Sequence, residues 1–276
     1  MAKSSDKYGV RGGNGWLLLL VTAFLASLMV FILKNDSSSE ESDKNQELLV
    51  YCAAGVKRAV EEVAGKFEQE LSVKIALEYA SSGVLANKLK TDRESGIARA
   101  DVYIPADYIY TERAAADGLT AESMKVASWK VVFAMKPDSV QLPENVDAVL
   151  KEKLSIVLCD PLAGVGQKTK KMLQSSGHWA SIDANKTATF PTVTEAALAV
   201  KENAGTDGAF IWNSVARQFG LKVVDLPELE SSKADISVAV TSSTARPSNA
   251  LKFARYLAAP SKGGEVFATH NYQPIA

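Results

Sequence analysis

Short apolar runs alternate with helix-like segments from residue 48 onward. "ELLVYC", which ends at Cys52, is typical of a buried strand, and "VKRAVEEVAGKF" follows it with apolar residues at helical spacing. The apolar face of that helix comprises Val56, Ala59, Val60, Val63, Ala64 and Phe67. "VKIALEYA" and "ADVYIPA" are further predicted strands, and the helices after them begin at Gly83 and close at Gly118 respectively. This βαβαβ order predicts a parallel sheet with helices on its faces.

A second series of the same kind follows. "SWKVVFAMKP" predicts one long strand, and "LSIVLCDP", "ATFPT" and "GAFIW" predict shorter strands separated by the helices "KTKKMLQSSG" and "TEAALAVKENAG". "DISVAVT" is a further strand, and "PSNALKFARYLAAP" is an amphipathic helix. Two successive α/β units predict two lobes, the first formed by 48–126 and 242–276 and the second by 127–241, with crossovers near 124–130 and 234–242. Such folds bind ligands at the carboxyl ends of their strands, which places the predicted site in a cleft between the lobes.

The N-terminal part of the chain predicts a membrane anchor. Residues 16–33, "WLLLLVTAFLASLMVFIL", carry no charge. As a helix they would span roughly 27 Å, close to the thickness of the hydrocarbon core of a bilayer. Basic residues precede this run and acidic residues follow it, so residues 1–15 are predicted to be cytoplasmic and the binding domain to lie on the periplasmic side. A cleaved signal peptide is the alternative, but its apolar region is usually shorter and no small-x-small site follows here. We therefore favour a retained single-pass anchor in the cytoplasmic membrane, with the polar residues 34–47 as a flexible linker.

Composition and motifs argue against several classes of function. The formal net charge is −1, from 31 basic and 32 acidic residues, so nothing indicates a nucleic-acid partner. With 2 cysteines and 2 histidines, neither a disulfide framework nor a Cys/His metal cluster is expected, and no cofactor is predicted. Cys52 and Cys159 each end the first strand of a different lobe and are predicted to stay reduced. The sequence lacks G-x-S-x-G, H-E-x-x-H and C-x-x-C, so it does not predict an enzyme.

Two further stretches have competing interpretations. "GVGQKTKK" at 164–171 is similar to a phosphate loop, but Gln167 separates the Gly and Lys that the Walker pattern requires side by side. Tyr103, Tyr108 and Tyr110 form a cluster that could bind ferric iron. At strand and helix spacing such tyrosines are more often packing residues, and packing is the favoured interpretation here.

Small or hydroxyl-bearing residues occupy four junctions at which a predicted strand passes into a helix. The junctions are "CAAGVKRAV" with Gly55, "ASSGVLANKL" with Ser81 and Ser82, "DPLAGVGQKTKK", and "FPTVTEAALAV" with Thr194. Helix N-termini present unpaired N–H groups and partial positive charge, so several of them around one cleft can bind an anion without lysine or arginine. Serine and threonine are also preferred there simply as helix caps. Each junction alone is open to both interpretations, and their joint occurrence favours an anion site.

At these junctions the chain resembles the periplasmic solute-binding proteins of ABC transporters, specifically the molybdate-binding class. "LLVYCAAGVKRAVEEVAGKFEQE" is similar to the opening strand and helix of that family, and "YASSGVLANKLKTDRESGIARADVYIPAD" is similar to its Ser-Ser-Ser-Thr-Leu stretch and the Ala-Asp-Leu-Phe-Ile-Ser-Ala-Asp after it. "VLCDPLAGVG", "TVTEAALAVKENAGTDGAFIWNSVA" and "SNALKFARYLAAPSKGGEVFATHNYQP" resemble its later motifs. The resemblance extends from about residue 48 to the C-terminus. It implies a two-lobed type II periplasmic-binding-protein fold, each lobe a mixed sheet flanked by helices, here preceded by one transmembrane helix.

The resemblance also implies a ligand and a set of binding residues. The ligand would be a tetrahedral oxyanion, molybdate or tungstate, held by hydroxyls and backbone amides and delivered by a monomer to a membrane permease. The implied ligand-binding positions are Gly55, Ser82, Ala106, Val165, Thr194 and Trp212. Two of them depart from the family pattern, because Trp212 stands where the family has a tyrosine and Gly55 where it has a serine. An indole N–H only donates hydrogen bonds, so it can still serve an anion.

Three other functions remain open on the sequence alone. A sensory binding module for another small anion such as sulfate would have the same fold and the same anchor. A ferric-iron-type binding protein would use the tyrosine cluster. An extracytoplasmic enzyme is the least favoured, because the sequence offers no nucleophile with an acid/base partner.

Overall fold

The computed structural model describes residues 24–29, 47–97 and 99–275. Residues 24–29 are helical and exposed, and the remainder of the predicted anchor at 16–33 lies outside the described residues, as does most of the predicted linker. Within the described ranges, no helix is both long enough and apolar enough to cross a membrane.

Residues 47–275 form two mixed sheets with helices around them. The strands are β1 (Leu48–Ala53), β2 (Ile75–Ala80), β3 (Val102–Ile104), β4 (Thr120–Trp129), β5 (Val131–Met135), β6 (Ile156–Cys159), β7 (Lys186–Phe190), β8 (Gly208–Trp212), β9 (Lys222–Val224), β10 (Ala234–Thr241) and β11 (Gln273–Pro274). The helices are α1 (Lys57–Leu71), α2 (Ser82–Glu94), α3 (Tyr108–Ala116), α4 (Val146–Lys151), α5 (Gly164–Ser175), α6 (Trp179–Asn185), α7 (Val193–Glu202), α8 (Asn213–Gln218), α9 (Pro247–Ala258) and α10 (Glu265–Thr269). The predicted architecture of mixed sheets flanked by helices is confirmed.

The first sheet has six strands in the order β11-β4-β10-β3-β1-β2, and the second has five in the order β7-β6-β8-β5-β9. In the first sheet, β1 runs parallel to β2 and β3, as the βαβαβ pattern predicts. In the second sheet, β6 runs parallel to β7 and β8. Strands β4, β5 and β10 pair antiparallel to their neighbours. Each sheet therefore has a group of parallel strands whose carboxyl ends share one edge.

The passage between the sheets differs from the sequence prediction. "SWKVVFAMKP" is not one strand, because β4 ends at Trp129 in the first sheet and β5 begins at Val131 in the second. Lys130 lies between them, and both of its backbone groups bond to Asn213: its N–H donates to the side-chain oxygen at 3.1 Å, and its carbonyl accepts from the Asn213 N–H at 2.9 Å. β10, which the sequence analysis counted within 127–241, pairs with β3 and β4 in the first sheet.

The last long helix returns to the first sheet. α9 packs against β4, β10 and α1. Its Phe253 contacts Phe67 of α1 edge to face, with ring centroids 5.0 Å apart, and both rings are fully buried. This packing places the C-terminal region beside the N-terminal half of the described domain.

Both cysteines are free thiols at the strand ends where the sequence placed them. Cys52 lies in β1 and Cys159 ends β6, and both side chains are buried. Burial raises the pKa of each thiol well above its usual range. A buried thiol that stays protonated is a poor nucleophile, so both cysteines are structural residues of the sheets.

Candidate functional site

A small cavity of about 20 Å³ lies where the carboxyl ends of the parallel strands of both sheets meet. Its lining residues follow β1, β2 and β3 of the first sheet and β6, β7 and β8 of the second. The cavity is lined by Ala53, Ala54, Gly55, Ala80, Ser81, Ser82, Ala106, Ala163, Gly164, Val165, Thr192, Val193 and Trp212. Open α/β sheets bind ligands at this edge, so the cavity is the candidate site.

Backbone amides and helix ends dominate the electrostatics of this cavity. Among the described residues that line it, none carries a charged side chain. Three helices begin at it, α2 at Ser82, α5 at Gly164 and α7 at Val193. The first N–H groups of a helix have no partner within the helix and carry partial positive charge. The arrangement therefore suits an anion held by dipoles and hydrogen bonds.

Ser82 presents a hydroxyl whose proton is free to donate. The residue is 1% exposed, and its Oγ accepts a hydrogen bond from the Ala106 N–H at 2.9 Å. Its carbonyl accepts from the Tyr103 hydroxyl at 2.8 Å. The hydroxyl thus uses one of its two lone pairs for Ala106 and keeps its one hydrogen to donate.

Ser81 occupies the N-cap position of α2 without capping it. Its side chain makes no hydrogen bond to the first turn, although its backbone has the extended conformation usual for a cap. By contrast, Asp107 caps α3 by accepting from the Ile109 N–H. The cap-only interpretation of the two serines therefore has no support in the hydrogen bonds of this junction.

Trp212 is a buried donor without an acceptor. It ends β8, lines the cavity and is 0% exposed. Within the described part of the chain its Nε1 has no hydrogen-bond partner. A buried polar group left unpaired costs about 1–3 kcal/mol, so this N–H is a strong candidate for a ligand contact.

Gly55 is required by the close packing around it. A Cβ atom there would lie 2.9 Å from Val193 Cγ1 and 3.1 Å from Trp129 Cη2. The serine that the family resemblance implies at this position would therefore collide with its neighbours. Gly55 contributes no side chain to the cavity, and its carbonyl accepts from the Tyr272 hydroxyl at 2.7 Å.

The structure brings five of the six predicted binding residues to the cavity. Gly55, Ser82, Ala106, Val165 and Trp212 line it, and their binding roles stay predictions. Thr194 does not line it, and its hydroxyl donates to the Ala54 carbonyl at 3.4 Å.

Thr192 and Val193 occupy the cavity wall in place of Thr194. Thr192 forms a capping box with Glu195 at the start of α7. The Thr-x-x-Glu spacing of that box is visible in the sequence and could have located the helix start.

Direct contacts join the two sides of the cavity. The Gly83 N–H, at the start of α2, donates to the Leu162 carbonyl at 2.9 Å, and the Tyr110 hydroxyl donates to the same carbonyl at 3.2 Å. The Lys168 ammonium in α5 lies 3.0 Å from the Asp107 carboxylate, with side chains only 19% and 9% exposed. The lysine of "GVGQKTKK" thus forms an ion pair across the two sides of the cavity.

The tyrosine cluster packs and does not converge on a metal. The hydroxyls of Tyr103 and Tyr110 donate to backbone carbonyls, and the Tyr108 ring lies under Lys125 with the ammonium 5.1 Å from the ring centre. Burial raises the pKa of Tyr103 well above its usual value and that of Tyr110 to about 12, which disfavours the phenolate that iron requires. No group of three or more His, Cys, Asp or Glu side chains in the described residues could hold a metal ion.

Relatives with similar sequence include a binding protein for molybdate. The chain is 27% identical over 270 residues to the molybdate-binding protein ModA of Escherichia coli (strain K12), an alignment that covers 93% of this chain and 97% of that protein.

Solved structures share the fold. The periplasmic molybdate-binding protein of Azotobacter vinelandii matches with a TM-score of 0.69 and 20% identity, covering 83% of this chain and all 100% of that one. Iron-bound HitA of Pseudomonas aeruginosa matches with a TM-score of 0.65 and 16% identity, covering 83% and 86%. Since these two proteins differ in the ligand their descriptions name, the shared fold alone does not identify a ligand.

The family assignment rests on a match over most of the domain. The model of the family described as bacterial extracellular solute-binding protein matches residues 48–272. This range contains both sheets up to the start of β11 and every residue that lines the cavity. The chain therefore belongs to the family of bacterial extracellular solute-binding proteins.

Proposed function

We propose that this protein binds a tetrahedral oxyanion, molybdate or tungstate, in the cavity between the two sheets and delivers it to an ABC permease. The observation that carries the proposal is the unpaired, fully buried indole N–H of Trp212 in a cavity without charged side chains. A ligand oxygen there would remove the penalty of an unsatisfied donor. The sequence similarity to a molybdate-binding protein supports the same ligand class.

The donors around the cavity favour a ligand that only accepts hydrogen bonds. The Ser82 oxygen already accepts from Ala106, and indole and backbone N–H groups have no acceptor to offer. A fully deprotonated dianion can accept at every oxygen. A hydrogen phosphate carries a proton for which only the second lone pair of Ser82 Oγ is left among these groups, so these donors suit a fully deprotonated dianion better.

Closure of two lobes around the ligand is the proposed binding motion. The lobes would correspond to the two sheets, so the predicted division at 48–126 with 242–276 and at 127–241 would shift to place the end of β4 and all of β10 in the first lobe. Ser82 follows a strand of the first sheet and Trp212 ends a strand of the second, so one ligand between them would bond to both. A ligand that binds the closed form better shifts the population toward it.

Replacing Trp212 with phenylalanine tests the proposal. The substitution removes the N–H and keeps an aromatic ring, so we expect the dissociation constant for molybdate to rise about tenfold, as for loss of a bond to a charged group. Isothermal titration of residues 48–276 with molybdate, tungstate, sulfate and phosphate measures this. Trp179→Phe is the matched control, because Trp179 lies in α6 and not in the cavity lining. Equal affinities of wild type and Trp212→Phe would contradict the role of the indole.

Retention of the N-terminal apolar segment is the second part of the proposal. The charge asymmetry around residues 16–33 supports a single-pass anchor with the binding domain outside the cytoplasm. Mass analysis of the membrane-bound protein is expected to find Met1 or Ala2 at the N-terminus. A mature N-terminus near Asp36 would instead establish cleavage.

A further inference from the structure

We propose that Trp129 is the positioning residue of the binding site, holding both the Trp212 indole and the Ser82 hydroxyl in place for the ligand. Trp129 ends β4 and does not line the cavity. This inference rests on the proposed function, since it concerns how the same cavity is organised. In this arrangement the buried side chain of Trp129 orients one hydrogen-bond donor from each sheet.

The first link is the stack between two indoles. The ring centroids of Trp129 and Trp212 lie 4.5 Å apart with an interplanar angle of 9°, and the two residues are 1% and 0% exposed. A ring stacked in a dense core cannot rotate without losing that contact. The orientation of the Trp212 N–H is therefore set by Trp129.

The backbone beside the stack is held as well. Lys130, next to Trp129, exchanges hydrogen bonds with Asn213, next to Trp212, at 3.1 and 2.9 Å. Trp212 is also the register partner of Val131, directly across the two sheet strands β8 and β5. The stack lies beside the passage between the sheets and is held by packing and by the adjacent backbone bonds, so it preorganises the donor before the ligand arrives.

The second link is a short chain of hydrogen bonds to Ser82. Trp129 Nε1 donates to the Ala106 carbonyl at 2.9 Å, and the Ala106 N–H donates to Ser82 Oγ at 2.9 Å. Both backbone groups of Ala106 are thus hydrogen-bonded, and its N–H fixes the position of Ser82 Oγ. The hydroxyl proton is left to point elsewhere, toward the cavity that Ser82 lines.

The two indoles therefore have different roles. The N–H of Trp129 is satisfied by a backbone carbonyl, whereas that of Trp212 has no partner among the described residues. Trp129 also accounts for Gly55, because a Cβ atom at that position would lie 3.1 Å from its ring. The indole of Trp129 therefore occupies part of the space that a side chain at position 55 would need.

Trp129→Phe separates positioning from general stability. Phenylalanine keeps a ring for the stack and removes the N–H that holds Ala106. We expect molybdate to bind about five- to tenfold more weakly, because the Ser82 hydroxyl loses its orientation. In the Ser82→Ala background the same substitution should weaken binding by less than about twofold, since two residues that act through one contact are not additive. Both Trp129→Phe and Trp129→Leu remove one indole, but near-UV circular dichroism should retain more of the Trp212 contribution in Trp129→Phe, where a ring still packs on that indole.

The outcomes are distinct for this inference and for the proposed function. Equal affinity of wild type and Trp129→Phe, or losses that multiply independently with Ser82→Ala, would overturn the positioning role while molybdate binding stands. A wild-type chain that binds no oxyanion would overturn the proposed function and this inference with it. Melting curves of every variant show that affinities are compared between folded proteins, and Trp179→Phe should match wild type in affinity.

Discussion

Gly83→Ala is expected to weaken oxyanion binding by about 5- to 150-fold, the range that corresponds to the usual 1–3 kcal/mol for overpacking a close contact. A Cβ atom on Gly83 would lie 2.7 Å from the Leu162 carbonyl oxygen, which is backbone and cannot rotate away. The Gly83 N–H also donates to that oxygen at 2.9 Å, so the bond would be lost together with the contact. Both effects act on the contact that joins the two sides of the cavity and leave each sheet intact.

The local helix should not suffer from this substitution. Gly83 lies in α2, and alanine is a better helix former than glycine by about 1 kcal/mol. We therefore expect the melting temperature without ligand to change little while the dissociation constant rises. Isothermal titration measures the affinity, and small-angle scattering should show less compaction on adding molybdate than in wild type.

Gly65→Ala is the matched control for Gly83→Ala. Gly65 lies within α1, and a Cβ atom there would have nothing within 4 Å. This variant should be more stable by roughly 0.5–1 kcal/mol with unchanged affinity. If Gly83→Ala bound molybdate as tightly as Gly65→Ala does, the contact with Leu162 would not be part of the ligand-bound state.

The pattern of apolar positions predicted the parallel core of each sheet well and the passage between sheets poorly. Strands such as β1 and β8 are short apolar runs next to helices with a clear apolar face, so local periodicity identifies them. The break at Lys130 has no glycine or proline to mark it. It is fixed by hydrogen bonds to Asn213, 83 positions along the chain, and such a contact leaves no local pattern.

The candidate site likewise contains residues that the sequence alone identifies and residues that only the structure identifies. Ser82 and Gly55 stand at strand-to-helix junctions, where residue type alone suggests exposed N–H groups. Trp129 is the last residue of β4, and its importance arises from a ring in the other sheet and from the Ala106 carbonyl. Thr194 was predicted because the family resemblance was carried across by position, and the capping box of Thr192 with Glu195 shows where α7 begins.

Ser82→Ala is the substitution that decides whether the second junction is an anion site. Its hydroxyl belongs to a buried residue of the cavity lining, and the bond from the Ala106 N–H holds its oxygen in place. Loss of a hydrogen bond to a charged group is worth roughly 1.5–3 kcal/mol, so we expect affinity for molybdate to fall about 10- to 150-fold. The Ala106 N–H would also lose its acceptor, which should lower stability by about 1–3 kcal/mol.

Because Ser82→Ala should lower both the affinity for molybdate and the stability of the protein, the titrations are done well below the melting temperature, where every variant is folded. Ser81→Ala is the neighbouring control. Ser81 also lines the cavity, but the Ala106 N–H holds the hydroxyl of Ser82 and not that of Ser81, so we expect a smaller loss of affinity in Ser81→Ala than in Ser82→Ala. A lowered melting temperature with an unchanged dissociation constant in Ser82→Ala would leave Ser82 as the acceptor for Ala106 alone. A tenfold or greater loss in Ser82→Ala together with a smaller loss in Ser81→Ala would identify the Ser82 hydroxyl as the donor that holds the oxyanion against the first sheet.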